Sequence, residues 1–298
     1  MNWQQALNDY QLYLKIERGL SANSIENYSR DVKKLIGFLE DTEVKELPLS
    51  ISEEVIQQFI YEIAKSMNAR SQSRIISGLR SFFDYLIFED YRKDNPTQLI
   101  ETPKIGRKLP DTLSEKEINS IITAIDLSSI HGQRNKTLLE TLYSCGLRVT
   151  EVITLQLSDL FFDEGFIRVL GKGDKQRFVP INLYTQKLIL IYMNQVRNHI
   201  QPKKGFEDTL FLNQRGQQLT RNMVFLIVKD ATEKAGIRKN VSPHTFRHSF
   251  ATHLLKRGAD LRSIQQMLGH ESITTTEVYM HVDKTFLKEV VEKYHPRK

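Results

Sequence analysis

The sequence predicts a mainly α protein in two parts, an N-terminal helical bundle and a mostly helical second domain that carries one small antiparallel β-hairpin. Three observations predict this. Apolar residues recur at three- and four-residue intervals through most of the chain. One stretch, "GFIRVLGKGDKQRFVPI", departs from that period with two β-rich runs around a "GKGD" turn. Three of the eight prolines (Pro96, Pro103 and Pro110) fall within fifteen residues and mark a boundary. At 298 residues the chain can support two cores.

The first part, 1–95, has helical spacing over 3–17, 24–40, 52–66 and 71–90, with turn residues such as "ERGLSANS" between. In the last of these helices Ile75, Ile76, Leu79, Phe82, Phe83, Leu86 and Ile87 form the inward stripe. Arg70, Arg74 and Arg80 are left outside, either coating a solvated face or offering charge to a DNA backbone. Residues 96–111 read as an interdomain linker, with Gly106 and basic residues among the prolines. The second part, 112–298, opens on a capping box, Ser114 with Glu117, ahead of the apolar stripe Ile118, Ile121, Ile122 and Ile125. A helix ends at Gly146, the hairpin follows, and further helices are expected at about 183–199, 221–235, 243–257, 260–268 and 284–294. The chain shows no internal repeat and no low-complexity tract.

Composition narrows the function classes. Hydrophobic content of 40% and charged content of 26% are ordinary for a globular protein. The net charge of +6 is divided unevenly: residues 1–105 hold 13 Lys+Arg against 16 Asp+Glu, and residues 106–298 hold 29 against 20. A polyanionic partner is therefore expected to lie mainly against the second part. The single cysteine, Cys145, sits in the apolar "TLLETLYSCG" and excludes a disulfide framework or a multi-Cys zinc site. "MNWQQALNDYQLYLKIERG" is amphipathic, without the basic start and apolar run of a signal peptide. No window approaches eighteen uninterrupted apolar residues. A cytoplasmic protein without membrane insertion is expected.

The densest chemistry lies in "SPHTFRHSFATHLL", residues 242–255, which packs in three of the eight histidines. His244 and His248 are four apart, a spacing that can hold a metal. However, no Glu follows His244 as a zinc-protease motif needs, and no third carboxylate or Cys ligand is near. Alone, the stretch would pass for an amphipathic helix with Phe246, Phe250 and Leu254 inward. Ser242 is a good N-cap and Pro243 suits the first helical position. His244 and Arg247 then fall in the first turns, where free N–H groups and the helix dipole favour an anion. Upstream, "CGLRVTEV" places Arg148 after a helix-ending glycine, with Glu151 beside it. Lys172 sits at the hairpin tip. Downstream, "LGHESITTTEVYMHV" places His270 after Gly269 and Tyr279 nine residues on.

Each of these has an ordinary explanation, since lysines favour turns, arginines cover surfaces and tyrosines are often half-buried. Together, "GLRVTE", "GKGDKQR", "HTFRHSFAT", "LGH" and the later tyrosine resemble the tyrosine recombinases. Arg148, Lys172, His244, Arg247, His270 and Tyr279 match that family's six positions in order. The likeness extends through "GLSANSIENYSRD" to essentially the whole chain. The ending "RGADLRSIQQMLGHESITTTEVYMHV" through "YHPRK" is most similar to the Xer chromosome-dimer resolvases, nearer the XerD than the XerC branch.

The resemblance implies a SAM-like core-binding domain and a catalytic recombinase domain closing as a clamp on duplex DNA. It implies covalent strand exchange with no cofactor and no metal. Tyr279 would be the nucleophile, Arg148 and Arg247 bidentate clamps on the phosphate, and Lys172 the general acid. His244 would be an acid/base or phosphate donor, and His270 a phosphate donor. Glu151 would brace Arg148, while Arg70, Arg74, Arg80, Lys175, Arg177 and Arg221 are candidate DNA contacts. His248 and His253 read as structural. The implied partners are a double-stranded target site and a XerC-like recombinase in a heterotetramer, or further copies in a homotetramer, with a septal DNA translocase as a further partner. The last helix, with Phe286, Leu287, Val290, Val291 and Tyr294 apolar, would dock on a neighbouring protomer or pack on its own domain.

A phage or transposon integrase shares the chemistry, and the compact length without an arm-binding extension favours the Xer reading over it. A type IB topoisomerase uses similar residues but should lack a partner-docking tail. A non-catalytic DNA-binding protein is a rival of another class, because 243–257 and 260–268 around "RGAD" could form a helix-turn-helix. That rival leaves the six-residue set unexplained.

Overall fold

The computed structural model describes residues 1–104, 112–171, 175–269 and 284–297, with side chains from 287 onward in the last segment. The expected sites Lys172, His270 and Tyr279, and the side chain of Phe286, lie outside the described residues. The chain divides into two compact units, Met1–Lys108 and Leu109–Lys298.

The first unit consists of α1 (Trp3–Ile16), α2 (Ala22–Asp41), α3 (Glu53–Ser66) and α4 (Ala69–Phe88). Short polar side chains start three of them: Asn2, Ser21 and Asn68 each accept the N–H of the residue three on, satisfying a donor the helix leaves free. The stripe of α4 closes a core with Tyr10, Leu14, Leu35 and Phe59, all essentially inaccessible. Ile87 is only half-buried, and Tyr85 takes the inward place instead.

In α4 Arg80 differs from the sequence reading, while Arg74 stays exposed as read and is paired. Arg80 is part-buried rather than left outside: its Nη2 donates to the carbonyls of Thr97 (3.3 Å) and Ile100 (3.2 Å). Thr97 is fully buried, so this stretch of the expected linker is packed on the first unit. Arg74 donates at 2.6 Å to the Asp31 carboxylate, which is itself buried. Arg70 remains exposed.

The second unit opens with α5 (Glu115–Thr123), α6 (Gly132–Ser144) and the short α7 (Val149–Thr154). A three-stranded antiparallel sheet follows, in the order β1 (Leu160–Phe161), β2 (Phe166–Leu170), β3 (Gln176–Pro180). The hairpin pairs Phe166 with Pro180 and Leu170 with Gln176, about the turn read in the sequence. β1 is two residues long, too short to show a period of two. Then come α8 (Leu183–Gln195), α9 (Arg221–Lys234), α10 (Pro243–Lys256), α11 (Leu261–Leu268) and α12 (Lys284–Tyr294). The helix expected to reach 199 stops at Gln195 and gives way to a 3-10 turn at Arg197–His199.

α6 lies against α8 and α10 in the middle of this unit. α12 is covered by its own domain, with Leu287, Val290 and Val291 buried in the same core. Of the two packings the sequence leaves open, the single chain shows the stripe on its own domain. The anchor is polar as well as apolar. His295 is fully buried between the rings of Tyr143 and Phe250. Arg297 Nε donates at 2.7 Å to the buried Glu140 carboxylate and Nη1 to Asn119. No helix among the described residues is long and apolar enough to cross a membrane.

The contact between α2 and α4 makes a stability prediction. A Cβ at Gly78 would stand 2.5 Å from Asp31 Oδ2 and 2.9 Å from its Cβ. Gly78→Ala is expected to cost about 1–3 kcal/mol, the range for overpacking. Adding Asp31→Ala should return part of that loss in urea denaturation, because the crowding carboxylate is gone and only the Cβ contact remains.

Candidate active site

The site is assembled where helices end. α10 starts as its sequence dictates: the Ser242 side chain accepts the Thr245 N–H, the Thr245 hydroxyl accepts the Ser242 N–H, and Pro243 follows the cap. Phe246, Phe250 and Leu254 lie in the core, and that anchorage fixes the rotation of the helix. Arg247 is thereby turned into the domain with only 5% of its side chain exposed. Its Nη1 donates at 2.8 Å to the Gly146 carbonyl and its Nη2 at 2.6 Å to the Leu268 carbonyl.

Both carbonyls lie at helix C-termini that glycine closes. Gly146, after α6, has φ +58, and Gly269, after α11, has φ +63. A Cβ on Gly146 would also meet Phe250 Cδ1 at 2.4 Å, so only glycine fits there. Two chain reversals thus hand carbonyls that helices leave unpaired to one buried guanidinium.

Glu151 is the centre of the charge pattern. It occupies the first turn of α7 and is almost fully buried. Oε2 accepts the Arg148 backbone N–H at 2.7 Å and Arg177 Nη2 at 2.8 Å. Oε1 accepts Arg148 Nη1 at 2.8 Å and Arg177 Nη1 at 2.9 Å. A carboxylate has about four acceptor sites, so its hydrogen-bonding capacity is filled. Arg247 Nη1 stands beyond hydrogen-bonding range at 3.6 Å, an ion pair only. Burial alone would raise this carboxyl, but Arg177 and then Arg148 outweigh it and hold the pKa at about 2.

Three guanidiniums around one carboxylate leave the cluster strongly cationic. Burial and then the Arg148 charge bring Arg247 down to about 10. Arg148, also within 3.4 Å of the Gly269 carbonyl, keeps 41% of its side chain exposed. It is the open edge of the cluster. His244 is exposed on the first turn of α10, and its pKa is lowered by burial and then by Arg247, His248 and Arg148. Its imidazole is therefore neutral at pH 7 and able to take a proton. The arrangement suits a compact anion that receives two bidentate arginines and a neutral histidine.

Arg177 departs from the sequence reading. It was counted among outward DNA contacts, but its side chain on β3 is 9% exposed and donates to Glu151 and to the Met267 carbonyl (2.8 Å). Its neighbour Lys175 is exposed, as is Arg221 at the start of α9. His253 is buried at the other end of α10. The Leu113 carbonyl can only accept, so His253 Nε2 donates to it and Nδ1 accepts from the Tyr143 hydroxyl. Among the described residues no three His, Cys, Asp or Glu side chains converge as a metal site.

Comparison with known proteins fixes the class. Residues 111–285 match the phage integrase family and residues 7–90 match the phage integrase N-terminal SAM-like domain. The chain belongs to the phage integrase family and is a tyrosine recombinase, an enzyme of site-specific DNA recombination. The tyrosine recombinase XerD of Oceanobacillus iheyensis is 43% identical over 293 residues, 98% of each chain. Among solved structures, the XerA recombinase is 30% identical over the whole of both chains, with a TM-score of 0.51. The XerH recombinase bound to its difH substrate before cleavage is 25% identical, covering 87% of this chain and 77% of that one, with a TM-score of 0.69.

The Glu151 cluster predicts how this domain responds to acid. Its folded pKa, about 2, lies below the unfolded value of about 4.3. The stability it contributes is therefore complete above the unfolded pKa and is lost as pH falls through the folded one. The melting temperature of Glu151→Gln should lie well below that of the native protein at pH 7, and the gap should narrow as pH falls from about 4.5 towards 2.

Proposed function

We propose that this recombinase cuts and rejoins DNA at a specific chromosomal site through a 3′-phosphotyrosyl intermediate, resolving chromosome or plasmid dimers during segregation. The observation that carries this reading is the arginine cluster on Glu151 beside His244, in a chain 43% identical to a XerD recombinase over nearly its full length.

In this reading Arg148 and Arg247 grip the non-bridging oxygens of the scissile phosphate, where fixed positive charge offsets the charge of the transition state. The Tyr279 oxygen attacks phosphorus in line as the bond to the 5′ oxygen breaks. Its proton passes to His244, the departing 5′ oxygen takes a proton from Lys172, and His270 donates a hydrogen bond to the phosphate. The phosphodiester energy is conserved in the tyrosyl link, and the partner strand's 5′-hydroxyl reverses the step. The two domains clamp the duplex, with Arg70, Arg74, Lys175 and Arg221 as contacts. Four protomers, of this chain or of this chain and a XerC-like partner, join two duplexes. The enzyme would work in the cytoplasm, with a septal DNA translocase as a further partner.

The test begins by recovering the site from genomic DNA bound by the protein, then offering it as a nicked duplex that traps the covalent adduct. Wild type should form the adduct and Tyr279→Phe should not. An adduct retained by Tyr279→Phe would remove Tyr279 as nucleophile, and none from wild type would remove the function. Arg148→Ala or Arg247→Ala should slow adduct formation on the order of 10²–10³-fold, as when one preorganised donor is lost. Because the pKa of His244 is lowered, the wild-type rate should hold until pH drops below 6.5 and fall from there. His244→Gln should be slow at every pH and lack that limb.

A further inference from the structure

Arg177 is the one member of the cluster with no part in the proposed chemistry, and it is better connected than any other. Its guanidinium takes two of the four acceptor sites on Glu151 and donates its third bond to the last turn of α11 at Met267. Its side chain also lies against Gly269, within 3.1–3.3 Å of where a Cβ there would stand. One side chain on β3 therefore ties together the carboxylate beside both clamping arginines, the end of α11 and its own strand.

We infer that Arg177 is a positioning residue of the strand-cleavage reaction, which fills the acceptor sites of Glu151 that Arg148 leaves open, so that Arg247 and the remaining donors of Arg148 stay available to phosphate. The inference rests on the phosphate-clamp reading of those two arginines. Its basis is competition for a limited set of lone pairs. A buried carboxylate must be paired, and among the described residues the cations in ion-pair range are Arg148, Arg177 and Arg247. With Arg177 in place, Glu151 is saturated and Arg247 is held off at 3.6 Å, bonded instead to the Gly146 and Leu268 carbonyls. Without it, two acceptor sites open within reach of the clamping arginines, and the substrate phosphate must compete with Glu151 for them. The bidentate fork matters as well as the charge, because a lysine in this place cannot bond both oxygens in the same geometry.

This role and a direct DNA contact predict different measurements. At saturating nicked duplex, Arg177→Ala should slow adduct formation on the order of 10- to 100-fold, the range for supporting groups one bond away from the chemistry. Its affinity for the duplex, and the dependence of that affinity on salt, should stay unchanged. Glu151 loses its largest stabilising partner in this variant, so its carboxyl rises, while the acid limb set by His244 keeps its place. In a Glu151→Gln background the same substitution should add little further loss, the non-additivity of two residues that act through each other. Arg177→Lys should recover part of the rate. If Arg177→Ala does not fold, Arg177→Lys and the Glu151→Gln pair with it carry the same comparison.

Weakened binding with a salt slope reduced by about one and an unchanged rate in the bound complex would overturn the inference and make Arg177 a phosphate contact. Unchanged binding and rate, or losses that add fully to those of Glu151→Gln, would overturn it too. Failure of wild type itself to form the adduct would instead sink the clamp reading on which the inference rests.

Discussion

The catalytic domain depends on the burial of one charge. Glu151 is almost out of contact with water, and an isolated carboxylate there would be forced to protonate. Four hydrogen bonds from two arginines and a third guanidinium in ion-pair range reverse that tendency. Those partners come from the N-terminus of α7, from β3 and from α10. Satisfying the carboxylate therefore fixes the mutual positions of three elements far apart in the chain. The arginines are in turn held where their remaining donors converge, and the cationic site is a consequence of the pairing.

The second constraint is the supply of free carbonyls. A helix end leaves acceptors without intrahelical partners, and two such ends meet here, after α6 and after α11. Left-handed glycines turn the chain sharply enough for Gly146 and Leu268 to present their carbonyls to Arg247. Phe250 occupies the space where a side chain on Gly146 would stand, so core packing and site geometry are settled by the same residue pair. A carbonyl binds the guanidinium without neutralising it. Arg247 is oriented by dipoles, keeps its charge and, among the described residues, is paired with Glu151.

Periodicity and capping in the sequence carried most of the fold. The four helices of the first unit, the hairpin register and the N-cap of α10 are local matters, decided by residues a few positions apart. β1 was beyond that reach, because two residues show no pattern. Arg80 and Arg177 were misplaced for a different reason. Each is a charged residue whose type suggests the surface, and each is drawn inward by an acceptor distant in sequence, the carbonyls of Thr97 and Ile100 for one and Glu151 for the other. Sequence spacing registers a side chain's own segment, whereas a buried charge finds its partner in three dimensions. Glu151 was legible as a brace for Arg148 because the two are three residues apart. Its pairing with Arg177, 26 residues away, was not.

The same logic explains why α12 lies on its own domain. An apolar stripe alone would be satisfied equally by this domain or by a neighbour, since burial is not directional. The polar anchor breaks that symmetry. Glu140 is completely buried in α6, accepts from Ser144 and Arg297, and has one oxygen without a donor among the described residues. Removing one member of a buried pair costs about 3–5 kcal/mol, more than most single apolar contacts contribute. His295, packed between Tyr143 and Phe250, is held neutral by burial with a pKa of about 3, so it adds no competing charge beside Arg297. Any surface that drew α12 away would have to supply a cation for Glu140 as well as apolar cover. Phe250 packs on Gly146 as well as on His295, so the seat of the tail and the carbonyl that orients Arg247 share one side chain.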